Sequence, residues 1–260
     1  MKQNKIIRTF FPLAFALMAF PVFAQKAAGP DDPKAVAIIE GFERKLNLDG
    51  LDVRSDFTLV QKKPSEADRV LKIRIFRRDA KSLFTIIFQY PDSEKGKGYF
   101  RSGDDLYLYL PTTREFVYRN SKDDIGSTDV RTDLFGRLTN LEKFRATYIG
   151  TETVSKWECN VVRLDAKVLD VSFPVQKWYV RKSDGLPVKV ENFSVSETLV
   201  RTFYYVDYVQ ISPGRFILSK LLAVNHLEEG QKTLITNENV STAAIPDNVF
   251  SRQYLEEQSR

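Results

Sequence analysis

From Asp52 onward the chain adopts a hydrophobic period of two and keeps returning to it, in short runs separated by tight polar turns. A helix cannot bury such a pattern, because it groups residues three and four apart, whereas a strand sends alternate residues to opposite faces. Val53, Phe57 and Leu59 share one face of the first run, Leu71, Ile73 and Ile75 of the second, and Phe84, Ile86 and Phe88 of the third. Polar turns at 61–65 and 78–80 separate them, and Pro91 closes the third. These runs read as an antiparallel meander with one wet face. Further strands are predicted over 96–101, 106–110, 115–118, 158–165, 176–181, 186–194, 201–210, 215–227 and 232–240, with turns at Gly103-Asp104-Asp105, Ser183-Asp184-Gly185, Ser212-Pro213-Gly214 and Glu228-Glu229-Gly230. The pattern predicts about eleven strands in one antiparallel sheet, and a sheet that wide curls or partly closes into a barrel.

Two segments break the period. Ile38, Ile39, Phe42 and Leu46 recur at helical spacing, with Pro33 at the first helical position and Asp32 as its cap. Residues 120–146 start polar and then turn helical, Asp129 or Thr132 capping a stretch that contains Leu134, Phe135, Leu138, Leu141 and Phe144. Gly136 and Asn140 split this stretch into two short helices, placed where a sheet protein carries a lid.

The N-terminus has the three parts of a secretory signal peptide: basic Lys2, Lys5 and Arg8, an apolar run from Phe10 to Phe20, and a small-residue cleavage site ending at Ala24. Residues 25–32 read as a disordered lead-in, 33–255 as one domain, and 256–260 as a loose tail. The leader carries three of the five net positive charges, so the basic balance gives no support to nucleic-acid binding. No later apolar stretch reaches the ~18 residues of a spanning helix. The expected product is a monomeric periplasmic protein.

Reactive groups are scarce. The one cysteine, Cys159, excludes an internal disulfide, and with the one histidine, His226, it is too little for the common zinc sites. No Gly-x-Ser-x-Gly elbow, phosphate-binding loop or dinucleotide glycine pattern occurs. Cys159 reads as a small buried hydrophobe, and His226, inside a strand pattern, as structural or surface. Neither cofactor nor metal is expected. What remains is apolar surface, which either fills a core under the 33–46 helix or lines a cavity. Tyr107, Tyr109, Tyr118 and the run Phe203-Tyr204-Tyr205-Val206-Asp207-Tyr208 read mostly as sheet-surface aromatics.

The order of features narrows this choice. A glycine-led strand and Gly-Asp turn (Gly96 through Asp105) precede the aromatic strand Leu106-Tyr107-Leu108-Tyr109-Leu110-Pro111. Gly126-Ser127-Thr128-Asp129 and Asp133-Leu134-Phe135 follow, and Ile245-Pro246-Asp247-Asn248-Val249-Phe250 closes the chain. Over roughly 33–255 this resembles the outer-membrane lipoprotein-sorting (LolA/LolB-like) family, though Leu106-Tyr107 stands where a Met-Trp pair is common. The resemblance implies a mainly β fold with helices: an incomplete antiparallel β-barrel closed by a helical lid around an apolar cavity for acyl chains.

The expected function is a non-enzymatic periplasmic carrier, or chaperone, that binds acyl chains of lipoproteins or phospholipids for transfer toward the outer membrane, with a membrane-bound donor or acceptor as partner. Cavity residues are expected at Leu71, Ile73, Ile75, Phe84, Ile86 and Phe88, lid residues at Leu134, Phe135 and Leu138, and head-group contacts at Arg101 and Arg131. The alternatives are an envelope sensor or accessory interaction module on the same fold and, behind them, a lipid or glycan hydrolase.

Overall fold

The computed structural model describes residues 30–119 and 123–259; the expected leader at 1–24 lies outside the described residues, as do residues 25–29 of the lead-in. Helix α1 (Pro33–Leu46) starts as its sequence dictates. Pro33 occupies the first turn, and the Asp32 carboxylate accepts from the Lys34 and Ala35 amides at 2.8 and 3.4 Å. Ala35, Ile39 and Phe42 form its buried stripe. The lead-in is ordered at its end. Asp32 donates its amide to the Ala146 carbonyl (3.0 Å), and the Asp31 carboxylate accepts from the Ala146 amide (2.9 Å). Two acidic side chains thus cap a strand edge, a role that composition does not reveal.

Thirteen strands follow: β1 (Asp52–Lys62), β2 (Arg69–Arg78), β3 (Leu83–Tyr90), β4 (Gly98–Ser102), β5 (Asp105–Leu110), β6 (Glu115–Arg119), β7 (Phe144–Val154), β8 (Trp157–Ala166), β9 (Val175–Arg181), β10 (Pro187–Phe193), β11 (Leu199–Ser212), β12 (Arg215–Asn225) and β13 (Lys232–Ser241). They form one open antiparallel sheet in the order β6-β5-β4-β3-β2-β1-β13-β12-β11-β10-β9-β8-β7. Two meanders, β1–β6 and β7–β13, are therefore joined by pairing of the first strand with the last. β6 and β7, consecutive in the chain, become the two edges, and residues 123–143 form the described part of the crossing segment between them.

The one strand without a predicted counterpart is β7. Phe144 ends a helix-spaced series and also begins the alternation Phe144, Ala146, Tyr148, so the two periods overlap there. The sheet wins: Phe144 and Ala146 are buried strand residues paired with Ala166 and Leu164. The helical part of the crossing shrinks to a 3₁₀ turn at Thr132–Phe135 and a four-residue α2 (Asn140–Lys143), neither with the expected side-chain cap.

Register lines up the core. Tyr205, Leu221, Ile235, Leu59 and Leu71 are successive cross-strand neighbours on the concave face. α1 packs into that concavity against β7, β8 and β12. The outer face of β2–β5 is covered by the C-terminal segment, where Ile245, Val249, Phe250 and Leu255 pack on Phe76, Ile87 and Tyr109. The tail is not loose. Helix α3 (Arg252–Gln258) runs through most of it, and Leu255 is fully buried. Gly98 permits this approach, since a Cβ there would lie 2.6 Å from a Leu255 methyl and 2.5 Å from the Ile86 carbonyl.

Candidate functional site

The concave face divides into a filled half and a half with space. Leu71, Ile73, Ile75, Phe84, Ile86 and Phe88 all point inward and are all buried. Over them lies the start of the crossing segment. Gly126, at φ +53°, sits so close that a Cβ would meet a Leu71 methyl at 2.6 Å and the Phe88 ring at 3.2 Å. Of the six expected cavity residues only Ile75 borders an apolar opening, and Phe84 borders a polar one.

The space lies across the barrel, on β9–β12. Phe42 of α1 stacks on Trp178, with centroids 4.8 Å apart and planes within 9°. Trp178 continues to Tyr205 at 6.2 Å, and Tyr205 stacks on Tyr208 at 6.2 Å and 6°. Burial holds both phenols above their ordinary pKa, so both are neutral. Tyr205 and Tyr208, expected at the sheet surface, are cavity wall. Phe203 and Tyr109, read the same way, are buried, whereas Tyr118 and Tyr204 are exposed as expected. The available signal was register: Trp178 pairs with Val190 and Val190 with Phe203, all buried.

Into this aromatic trough the crossing segment inserts Leu134, Phe135 and Leu138; the Phe135 ring meets Phe57 edge-on at 5.0 Å. They act as a plug that leaves a cleft on either side. The first, of about 60 Å³, lies toward Val53, Phe57, Ile75, Ile217 and Leu218. The second, of about 130 Å³, lies toward Phe144, Phe173, Val190 and Phe203. Leu134, Leu138, Trp178 and Tyr205 line both. An engineered cavity of roughly 150 Å³ holds a benzene, so neither cleft accepts an acyl chain while the plug is seated.

The two ends of the plug segment are held differently. Its root is pinned by the fully buried Asp129, whose carboxylate accepts from Asn225 Nδ2 (3.1 Å), Gln231 Nε2 (2.6 Å) and Thr233 Oγ1 (2.8 Å). Arg201 donates to the Asp129 carbonyl at 2.9 Å, and its guanidinium also lies 3.6 Å from Asp124. Burial raises the Asp124 carboxyl, and the facing Arg201 and Arg131 draw it back. Asp129 is thus an anchor rather than a helix cap. The far end of the plug is tied to the end of α1. Asn47 donates to the Leu138 carbonyl (2.9 Å) and accepts from its amide (2.7 Å), and Glu43 accepts from the Asn140 amide (2.7 Å).

Burial pushes the Glu43 carboxyl up to about 6, against the pull of the Asn140 amide and Arg137. The folded protein therefore binds this proton more tightly than the unfolded chain. The contribution is present below pH 4.5 and is lost as pH rises through about 6. Glu43→Gln is expected to flatten thermal stability across that window and add about 1 kcal/mol at neutral pH, a figure discounted for partial exposure. Melting curves from pH 4 to 8 check it, and an unchanged pH slope in the variant would refute it.

The expected head-group arginines separate. Arg101 borders the polar mouth beside the second cleft, its Nε donating to the Gly103 carbonyl at 2.8 Å. Arg131 lies 5.7 Å over the Phe173 ring, beside the Asp124–Arg131 bridge, and borders neither cleft. Cys159 is fully buried, as its strand context suggested. His226 is exposed, with Nε2 2.8 Å from Thr202 Oγ1. Among the described residues there is no cluster of metal-ligating side chains and no helix long and apolar enough to cross a membrane.

Comparison with known proteins gives the same fold. The chain matches the crystal structures of a LolA-superfamily protein from Nitrosomonas europaea (TM-score 0.73, 18% identity, 85% of this chain and 98% of that one) and of a domain described as an outer membrane lipoprotein-sorting protein from Vibrio parahaemolyticus (0.76, 18%, 86% and 98%). A DUF1329 family protein from Desulfovibrio piger is equally similar (0.74, 17%, 85% and 98%). No curated protein matches the sequence. A family model described as "uncharacterized protein" matches residues 80–257, more than half of the chain. The chain belongs to that family, and its open antiparallel sheet shares the fold of these solved structures.

Proposed function

We propose that the protein is a periplasmic carrier that binds an acyl chain of a lipoprotein or phospholipid in the aromatic trough once the plug has left it, and passes it toward the outer membrane without covalent chemistry. The observation that carries this reading is the plug itself. Leu134, Phe135 and Leu138 occupy apolar space as a ligand would, on a segment tied at its far end by three hydrogen bonds to Asn47 and Glu43.

The magnitudes suit reversible loading. A sixteen-carbon chain gains roughly 12 kcal/mol on burial, at ~0.8 per CH₂. Expelling one buried and two half-buried side chains costs roughly 4–6. The difference corresponds to a dissociation constant between about millimolar and micromolar, tight enough to collect a lipid and weak enough to release it. The Vibrio parahaemolyticus domain, described as lipoprotein-sorting, supports the same reading through the shared fold.

The test is binding of a solvatochromic acyl probe to the purified protein, with mass spectrometry of organic extracts. Saturable probe binding displaced by lysophospholipid is expected. Absence of both probe uptake and extracted lipid would remove the proposal.

A further inference from the structure

The second cleft adjoins a polar cavity of about 380 Å³ between the β2–β3 and β4–β5 turns and the plug, and the two spaces share Arg101, Asp133, Arg137, Thr139 and Lys143. Apolar space that adjoins polar space of this size, within the roughly 300–1,000 Å³ usual for small-molecule sites, is shaped for an amphiphile. The charges lining it sort into two groups. Asp79 is neutralised: burial raises its carboxyl, but Arg77 beside it prevails and holds it below the usual range. Arg137 is shared between Asp49 at 3.3 Å and Glu142 at 3.8 Å.

Four charges remain without an opposite partner among the described residues: Arg101, Lys143, Asp104 and Asp133. Asp133 is bonded only to the Ser172 hydroxyl. Arg101 is held in place by the Gly103 carbonyl and by Gly136, where a Cβ would lie 3.3 Å from its guanidinium. Two free cations and two free carboxylates around one cavity complement a ligand that carries both signs.

We infer that this mouth binds the head group of a zwitterionic phospholipid with a primary ammonium, the phosphate meeting Arg101 and Lys143 and the ammonium meeting Asp104 and Asp133. Phosphoethanolamine has that chemistry. A choline head offers no N–H to a carboxylate and calls for an aromatic cage, whereas the aromatic face at this mouth, Phe84, already lies under Arg101. A glycerol head leaves both carboxylates unmatched beside added negative charge. The inference rests on the acyl-carrier reading and adds the head-group class to it.

The experiment titrates the full protein with four single-chain lipids of equal length, below their micellar concentrations: lysophosphatidylethanolamine, lysophosphatidylglycerol, lysophosphatidylcholine and a neutral monoacylglycerol. Trp178, which lines the cleft, serves as the fluorescent reporter in a Trp157→Phe background. The ethanolamine lipid is expected to bind about tenfold more tightly than the other two phospholipids. Asp104→Asn with Asp133→Asn should erase that preference. Arg101→Gln with Lys143→Gln should weaken all three phospholipids by about tenfold while leaving the monoacylglycerol within about twofold. Circular dichroism melts confirm that each variant is folded. Equal affinity for all four lipids overturns the head-group site and leaves the carrier intact, whereas failure of every lipid to bind removes both.

Discussion

Asp129→Ala is expected to cost about 3–5 kcal/mol of folding stability, because it removes one partner from a buried, charged hydrogen-bond network. The substitution strands the amides of Asn225 and Gln231 and the hydroxyl of Thr233, all buried. It also leaves the buried Arg201 with Asp124 at 3.6 Å as its remaining carboxylate. Each unsatisfied group retains its desolvation penalty. Asp129→Asn should cost less, since one acceptor oxygen survives. Chemical denaturation measures the loss, and hydrogen exchange should show residues 123–135 losing protection first. A change below about 1 kcal/mol would mean that the network is incidental to the plug's root.

Leu134→Ala combined with Leu138→Ala is expected to move stability and affinity in opposite directions. In the empty protein these side chains fill the trough, so truncating them lowers the melting temperature. The same truncation removes roughly 2–3 kcal/mol from the cost of clearing the trough, and acyl-ligand affinity should rise about 30- to 100-fold. Probe titration and thermal melts on the same samples test this together. If affinity falls with stability, the leucines are ligand contacts rather than competitors, and the plug does not stand in for the ligand.

Legibility of the sequence followed the range of the forces at work. Helix α1 was readable from Asp32, Pro33 and its apolar stripe because capping and periodicity are local. Most strands were readable because alternation is local too, and the shared face of Leu71, Ile73 and Ile75 came with it. The crossing segment was not, because its path is fixed by Asn225, Gln231 and Thr233, about a hundred residues away in the chain. Arg201, Asn225, Gln231 and Thr233 are polar residues at buried positions in or beside the strands, and those interruptions were the visible trace of the anchor.

The position of the open space depended on the same missing information. Parity shows which side chains share a face, but it shows neither which face turns inward nor what lies on top of it. Gly126 closes over Leu71 and Phe88, and the space passes to Trp178, Tyr205 and Tyr208. An aromatic-rich strand looks alike in sequence whether its rings face water or a trough, and only the partner strands decide.

A barrel whose last strand bonds to its first has its girth set by strand number and stagger. In this molecule β6 and β7 are the two edges of an open sheet, and no ladder joins them among the described residues. The seam can therefore spread or narrow with every interstrand bond intact, and internal volume becomes an adjustable quantity. One sheet of this kind can accommodate cargoes of unequal bulk by parting its seam to different widths.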